Sequence, residues 1–438
     1  MVINYKFGVM MFRLFLFLIV LFAFTFNLFA QMQKGSVVFI HPDGTSLSDW
    51  NALRILSAGP DVEINWDKLS GIGLYQGHIR DRVTSSSNAG ATIHAYGVKA
   101  DLADFGMIDK QIPVSRSGKR MSIMHEAMQN KIYTGLINSG SIIEPGTAVF
   151  VSSNEKRSNY EAITKDVVQS GVDLIFSGGE EWMLPVGVKG KFCEGKRKDG
   201  LNLIEWAVNK GYKVVYTKDE LINSSTDERK ILGVFEAGHT FNDRTEEELI
   251  SKGSKNYSAS APRVNEMTKF ALEFLSSKGQ FLLVVEEEGT DNFGNKNNAN
   301  GKLEALLNAD KAIAEVLEFC KKNPNTTLIT AADSEAGGLA VSGYEIDNLD
   351  AGTLLPALDS NGAPLDGVNG TGTLPFISKP DKSGKTFPFG IVWASFGDLT
   401  GAVVARAHGL NADKMYGKID NTDIYRIMYL TLFGVWLD

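Results

Sequence analysis

Short runs of apolar residues alternate with amphipathic stretches from about residue 35 to the end of the chain. Such runs are typical of strands that are buried on both faces of a parallel sheet. They predict strands at 35–41, 132–138, 172–177, 212–217, 281–286 and 326–331. Helical periodicity occupies the stretches 46–56, 122–130, 201–210, 262–277, 302–321 and 420–433. Strands that alternate with helices predict an α/β fold with a mostly parallel central sheet and helices on both faces.

One long stretch breaks this alternation. Residues 340–387 are rich in Gly, Asn, Asp and Pro and contain no long periodic segment. That composition predicts a loop-rich insertion on the surface of the domain. Such an insertion can shape the mouth of an active site or can simply decorate the surface, and the sequence leaves both interpretations open.

The first thirty residues have the pattern of a secretory signal peptide. Lys6 and Arg13 precede a long apolar run, and Phe29-Ala30 before Gln31 offers a small-residue cleavage point. The alternative is an uncleaved membrane anchor, because the run has about membrane-spanning length. We therefore predict a signal peptide at 1–30, a folded domain at 31–438, export to the periplasm or the extracellular space, and no membrane contact after cleavage.

The net charge narrows the range of partners. The chain carries a formal charge of −8, and residues 1–30 contain Lys6 and Arg13 but no acid, so the remainder is near −10. An acidic protein is a poor partner for a nucleic-acid backbone but is compatible with bound cations. Export permits a disulfide between the two cysteines, Cys193 and Cys320, and their bonding stays open at this stage.

Acidic residues follow three of the predicted strands. The carboxyl ends of parallel strands are where α/β proteins usually hold ligands, and carboxylates at that edge are natural metal ligands. An aspartate before a glycine turn can also cap the next helix. The residues concerned are Asp43, Asp333, Asp291 and the run Glu286, Glu287 and Glu288.

Two further stretches could handle phosphate. Three serines, Ser85 to Ser87, precede small residues and a helical pattern. A hydroxyl at a helix amino terminus suits a nucleophile or a bound phosphate, although serines there are commonly caps. Arg157 could hold two phosphate oxygens with its guanidinium fork, and Glu144 and Thr147 lie shortly before it.

The order and spacing of these motifs resemble the alkaline phosphatase family from about residue 36 to the C-terminus. The resemblance implies a three-layer sandwich in which 31–438 is the catalytic domain. It implies that Asp43 bridges metals, that Ser87, counted back from Gly97-Val98-Lys99, is the nucleophile, and that Arg157 clamps phosphate. The remaining metal-binding positions match Glu286, Asp291 and Asp333. Gly146 falls on the metal-binding threonine of the family, and a small shift would place Thr147 there.

The chain departs from the family where zinc-binding histidines are expected. Those three positions hold Asn295, Ser334 and Leu399. Zinc favours nitrogen and sulfur ligands, whereas oxygen ligands suit Mg²⁺, Ca²⁺ or Mn²⁺, so zinc is the less expected ion. Leu399 cannot bind a metal, so that site is lost, rebuilt or used by another cation. His41 or His408 could substitute, or both could serve only in packing.

A fourth departure is Ser86, which replaces the aspartate that precedes the nucleophile in the family. The preferred hypothesis is a secreted phosphomonoester hydrolase that acts on a small phosphate ester through a phosphoserine, with oxygen-bound divalent cations. The resemblance also suggests a homodimer. The alternatives are a degenerate phosphate-binding member and a phosphodiesterase or sulfatase relative. The assignment of Ser87 rather than Ser85 or Ser86 rests on counting and could slip by one.

Overall fold

The structure is a computed structural model that describes residues 33–343, 346 and 349–438. The predicted signal peptide at 1–30 lies outside the described residues, as do four residues of the predicted insertion. No helix within the described ranges is long and apolar enough to cross a membrane.

The strands fall into one large sheet and two small ones. In chain order they are β1 (Ser36–Pro42), β2 (Gly71–Gln76), β3 (Tyr133–Ser141), β4 (Leu174–Gly178), β5 (Tyr212–Val215), β6 (Lys230–Val234), β7 (Phe281–Glu287), β8 (Thr326–Thr330), β9 (Glu335–Ala336), β10 (Ala340–Ser342), β11 (Leu365–Gly367), β12 (Gly370–Thr371), β13 (Phe376–Ile377), β14 (Pro388–Val392), β15 (Asp398–Leu399), β16 (Val404–Gly409) and β17 (Tyr416–Asp420). The large sheet has the order β17-β2-β16-β8-β1-β7-β3-β4-β6-β5. Its strands pair in parallel except β16, which is antiparallel to both of its neighbours.

Helices cover both faces of this sheet. They are α1 (Leu47–Ser57), α2 (Ser87–Tyr96), α3 (Ile123–Gln129), α4 (Pro145–Ala148), α5 (Tyr160–Gln169), α6 (Leu203–Asn209), α7 (Lys218–Ile222), α8 (Glu246–Lys252), α9 (Val264–Ser276), α10 (Gly289–Asn295), α11 (Ala299–Lys322) and α12 (Asp423–Phe433). Short 3₁₀ helices lie at Trp66–Lys68, Glu180–Trp182 and Ala412–Lys414.

The central strand β1 shows why the sheet lies between two layers. Successive side chains of a strand point to opposite faces. Val37 and Phe39 therefore pack into one core with α2, α3, α5 and α12. Val38 and Ile40 pack into a second core with α1, α9 and α11. The predicted α/β fold, a mostly parallel sheet with helices on both faces, is confirmed.

Four strands of the large sheet were not predicted. Strands β2, β16 and β17 contain glycines or charged residues and lack a continuous apolar run, and Gly233 interrupts the apolar run of β6. The last predicted helix, 420–433, begins at Asp423 instead, because Asp420 ends β17.

The stretch 340–387 is mostly irregular but contributes to a second, antiparallel sheet. Strands β10, β11 and β13 pair with β14, and β12 pairs with β11. Each of the strands within this stretch has two or three residues, which is too short for a visible period. The two cysteines are free: Cys193 is half-buried and Cys320 is buried. The disulfide that export would permit is therefore not formed.

Candidate active site

The carboxyl ends of the central strands bring the predicted acidic residues together. In the sheet register, His41 of β1 lies beside Glu286 of β7, and Glu286 lies beside Asn138 of β3. Asp43 follows β1 directly, and Asp333 follows β8 on its other side. This is the edge at which the sequence analysis expected ligands.

Two groups of buried side chains at this edge have the spacing of cation ligands. One contains His41, Asp43 and Glu286, and the other contains Asp43, Glu288 and Asp291. In each group one potential ligand atom from every residue lies within 4.8 Å of the others. Asp43 belongs to both groups, so its two carboxylate oxygens could serve two adjacent ions.

Residues of β3 and α4 contact Glu286 of the first group. The Asn138 amide donates hydrogen bonds to Glu286 and to Thr147 Oγ1, and Thr147 Oγ1 lies 3.5 Å from Glu286 Oε2. A Cβ atom at Gly146 would lie 1.9 Å from Glu286 Oε1. The glycine at 146 thus allows the carboxylate to approach the backbone, and the neighbouring Thr147 supplies the hydroxyl.

One carboxylate oxygen of Glu287, by contrast, is buried and accepts hydrogen bonds from two protein donors. The alternation of β7 turns its side chain away from Glu286. There the hydroxyls of Ser139 and Tyr257 donate to Glu287 Oε1 over 2.6 and 2.7 Å. Glu287 belongs to neither cation group.

Burial and crowding disfavour the charged forms of these acids. Burial raises the pKa of Glu286 to about 8. The pKa values of Glu288 and Asp291 lie well above the ordinary range, because of burial first and then repulsion from neighbouring carboxylates. A bound cation would favour the ionised forms and release protons.

Asp43 is the exception among the buried acids. Burial alone would raise its pKa, but the attraction of a protonated His41, whose Nε2 lies 3.2 Å from Asp43 Oδ1, outweighs burial and lowers it. The side chains of Asp333 and Ser87 also interact with Asp43 and act in the same direction. The carboxylate at the centre of the site therefore stays ionised at neutral pH.

Asp333 brings a third acid against Asp43. It is 3% exposed, and both of its carboxylate oxygens are buried without a hydrogen-bond partner in the described part of the chain. The hydroxyl of the adjacent Ser334 is also buried and has no partner there. Unpaired buried oxygens cost free energy, so their convergence indicates a ligand.

Of the three candidate serines, Ser87 faces the acids. It is the first residue of α2 and is 6% exposed. The hydroxyl of Ser86 caps this helix by accepting from the Ala89 N–H, and it donates to the Leu102 carbonyl. The hydroxyl of Ser85 donates to the Ser86 carbonyl.

A glycine in α2 sets the distance between that helix and Asp333. A Cβ atom at Gly90 would lie 2.2 Å from the Cβ of Asp333. Any larger residue at position 90 would push α2, and with it Ser87, away from the carboxylates.

Arg157 lies at the open side of the site and is 43% exposed. Its Nη2 donates to Glu144 Oε2 over 2.6 Å, and Glu288 and Asp291 also attract its charge. Glu144 is therefore the carboxylate that orients this arginine, in a chain where position 86 holds a serine. No pattern in the sequence indicates this role for Glu144.

Asn295 and Asp398 lie next to Asp291 at the edge of the site, which we call its rim. The Asn295 amide donates to both oxygens of Asp291, over 3.0 and 3.1 Å, and to Asp398 Oδ1 over 3.1 Å. Asp398 was not predicted as a site residue, because the family resemblance places the expected ligand at the next position, Leu399. The leucine side chain instead packs beside Gly338.

The two histidines considered as substitutes have different surroundings. His41 is buried at the first group, with Nε2 3.2 Å from Asp43 Oδ1. His408 pairs with Leu328 in β8 and belongs to neither cation group. Leu328 is the middle residue of β8, so His408 lies two residues before the end of that strand that leads into the site.

Known proteins resemble the chain over most of its length. A family model described as alkaline phosphatase matches residues 34–365. The chain is 26% identical to alkaline phosphatase 4 of Bacillus subtilis strain 168 over 283 residues, which is 63% of this chain and 54% of that protein. It is 24% identical to a membrane-bound alkaline phosphatase of Bombyx mori over 388 residues, or 78% and 68% of the two chains. The match thus spans about half the length of the bacterial relative.

Solved structures share the fold. An alkaline phosphatase from the Antarctic bacterium TAB5 superimposes with a TM-score of 0.69 at 20% identity, covering 91% of this chain and 98% of that one. Alkaline phosphatase from Thermus thermophilus gives a TM-score of 0.69 at 21% identity, covering 92% of each chain.

Proposed function

Because the chain belongs to the alkaline phosphatase family, we propose that it hydrolyses phosphate monoesters with Ser87 as the nucleophile. The observation that carries this proposal is the position of Ser87 as the first residue of α2, on the side of that helix start where it influences Asp43. A helix amino terminus offers free N–H groups and a positive dipole end to a phosphate dianion. Ser85 and Ser86 direct their hydroxyls to backbone carbonyls instead.

The buried oxygens of the site fit divalent cations. Asp43, Glu286 and Thr147 would hold one ion, and Asp291, Asp333, Asn295 and Ser334 offer further oxygens. Unpartnered buried atoms on Asp43, Glu286 and Asp333 support this assignment. Divalent cations, when bound, would neutralise phosphate charge and lower the pKa of a hydroxyl. Oxygen ligands suit Mg²⁺, Ca²⁺ or Mn²⁺, and a mutant of the TAB5 enzyme was solved with Mg bound.

In the proposed reaction the Ser87 oxygen forms a bond to phosphorus while the ester P–O bond breaks and the alcohol leaves with a proton. Water then hydrolyses the phosphoserine and restores the hydroxyl. Arg157 would hold two non-bridging oxygens, because Glu144 occupies only its Nη2 and leaves the rest of the fork free.

The setting of this chemistry is also part of the proposal. We infer that residues 1–30 direct export and that residues 31–438 form one catalytic domain. The substrate is a small phosphate ester, and the stretch 340–387 belongs to the same domain. A homodimer is consistent with the family resemblance, and the acidic charge disfavours a nucleic-acid partner.

The test compares Ser87→Ala with Ser85→Ala on p-nitrophenyl phosphate, bis(p-nitrophenyl) phosphate and p-nitrophenyl sulfate. We expect the wild type to prefer the monoester and Ser87→Ala to lose turnover, with Ser85→Ala near wild type. Preference for the diester or sulfate would contradict the substrate class. Tight phosphate binding without turnover by the wild type would instead support a binding protein.

A further inference from the structure

His41 brings an imidazole into a group of oxygen ligands. It is the sixth residue of β1 and lies two positions before Asp43, so both side chains turn to the same side of the chain. Its side chain is 1% exposed. A buried histidine at this position therefore needs a partner for each of its two ring nitrogens.

The backbone determines which nitrogen carries the proton. Nδ1 lies 2.9 Å from the carbonyl oxygen of Ala331, and a carbonyl can only accept a hydrogen bond. When the ring is neutral, as ion binding requires, Nδ1 is thus the nitrogen that keeps its hydrogen, and Nε2 presents its lone pair. Metal-bound histidines show the same arrangement, with the second nitrogen donating to a backbone carbonyl.

The lone pair of Nε2 points toward other unpartnered acceptors. Nε2 lies 3.2 Å from Asp43 Oδ1 but makes no hydrogen bond within the described structure. Asp43 Oδ2 and Glu286 Oε1 are likewise buried and unpartnered there. Each of these residues is at most 1% exposed. An imidazole and two carboxylates that each bring one unpartnered buried atom to the same place have the donor set of a cation site.

Two neighbouring aromatic rings pack against His41 and restrict its orientation. Its ring packs against Phe39 and His94, with centroids 5.8 and 5.6 Å away. The Nε2 atom of His94 is engaged by the hydroxyl of Tyr75 over 2.7 Å. His94 belongs to neither cation group, and His41 is the histidine that the described residues contribute to the first one.

We propose that His41, Asp43 and Glu286 form a mixed nitrogen–oxygen site that binds a first-row transition ion, such as Mn²⁺, Co²⁺ or Zn²⁺, in preference to Mg²⁺ or Ca²⁺. Imidazole suits transition ions, whereas Mg²⁺ and Ca²⁺ take oxygen ligands. The site therefore differs from the oxygen-only positions around Asp291 and Asp333. The inference rests on the proposed function only for the claim that this ion serves catalysis, since ion selectivity is measured without substrate.

The test uses the purified protein, stripped of metal and equilibrated with equimolar Mg²⁺, Ca²⁺, Mn²⁺, Co²⁺ and Zn²⁺. Bound ions are counted by mass spectrometry in the wild type, in His41→Gln and in His408→Gln, a histidine control outside the site. We expect the wild type and His408→Gln to retain a transition ion that His41→Gln binds at least about tenfold more weakly.

Pulsed EPR of the Mn²⁺-loaded wild type provides a second measurement that requires no variant. Nitrogen modulation from a directly bound imidazole is the expected result. Bound Mn²⁺ without nitrogen modulation, or retention of only Mg²⁺ or Ca²⁺, would overturn the proposal. A wild type that binds no transition ion would show that a protonated His41 neutralises the group itself. Transition-ion binding without phosphatase turnover would refute the proposed function but leave this inference intact.

Discussion

Two sets of buried carboxylates in this molecule look alike in sequence but differ in their hydrogen bonding. In strand β11 of the five-stranded antiparallel sheet, Asp366 accepts from Trp393 Nε1 over 2.6 Å and from Thr371 Oγ1 over 2.7 Å. Nearby, Glu246 accepts from the Asn300 N–H over 3.0 Å. At the edge of the large sheet, by contrast, buried oxygens of Asp43, Glu286, Glu288 and Asp333 have no donor among the described residues.

The contrast teaches how to separate structural from functional acids. A buried acid that is satisfied by protein donors stabilises the fold through those bonds. Several buried carboxylate oxygens without donors destabilise it unless a ligand supplies positive charge. We expect substitutions in the two sets of acids to have effects of different size, the largest at Asp43.

The largest effect is expected at Asp43, which both cation groups share. Asp43→Asn keeps the size of the side chain but removes its charge. We predict a loss of phosphatase kcat/KM on the order of 10³-fold, because both ions lose a ligand. Metal content measured on the same sample should fall as well. Unchanged metal content and turnover would show that Asp43 does not bind the ions that catalysis requires.

The next effect concerns the pair of Arg157 and Glu144. Charge-assisted hydrogen bonds contribute about 1.5–3 kcal/mol each, so Arg157→Ala should lower kcat/KM about 10²-fold. Glu144→Gln leaves the arginine in place but orients it less firmly, and we expect a loss of about tenfold. Steady-state kinetics at saturating metal measures both. An equal loss in the two variants would mean that Glu144 does more than orient Arg157.

A smaller effect is expected at Asp398 on the rim. Burial, followed by repulsion from Asp43, raises its pKa, and its carboxylate shares the Asn295 amide with Asp291. Asp398→Asn should weaken binding of the ion near Asp291 about tenfold. Asp413→Asn, which removes a charge from a side chain that is 71% exposed, is the matched control. Equal metal affinity in the two variants would exclude Asp398 from the site.

The smallest effect tests the other set of acids. Burial, and then repulsion from Asp366, raises the pKa of Glu246 from an ordinary 4.5 to about 8. The folded state binds this proton more tightly than the unfolded state, so its contribution is largest at low pH and is lost as pH rises from about 4.5 to about 8.

The neutral Glu246→Gln should remove that pH dependence. Its Tm should match the wild type near pH 5 and exceed it by a few degrees near pH 8, as measured by calorimetry in the presence of excess metal. A constant difference across this range would mean that Glu246 does not change protonation there.

The strands with continuous apolar or β-branched runs, and the acidic residues that follow them, could be predicted from the sequence. The runs that became β1, β7 and β8 are short, rich in apolar or β-branched residues and followed by acidic residues, so the meeting of Asp43, Glu286 and Asp333 could be expected. The position of His41 beside Glu286 depends on the register between two strands, which no local pattern reveals.

The rim of the site was less predictable for a physical reason. Asp398 reaches the site from a two-residue strand, and Glu144 precedes a four-residue helix. Tertiary contacts rather than local propensity place such short elements. A shift of one residue between Leu399 and Asp398, or between Gly146 and Thr147, therefore changed which side chain faces the acids.

The most direct test of the central claim is the hydrolysis of p-nitrophenyl phosphate by metal-free protein, followed as divalent ions are added back. The account predicts no turnover without metal, and recovery that saturates when each of the two groups around Asp43 holds an ion. Full turnover by the metal-free protein, or saturation with metal without any turnover, would contradict it.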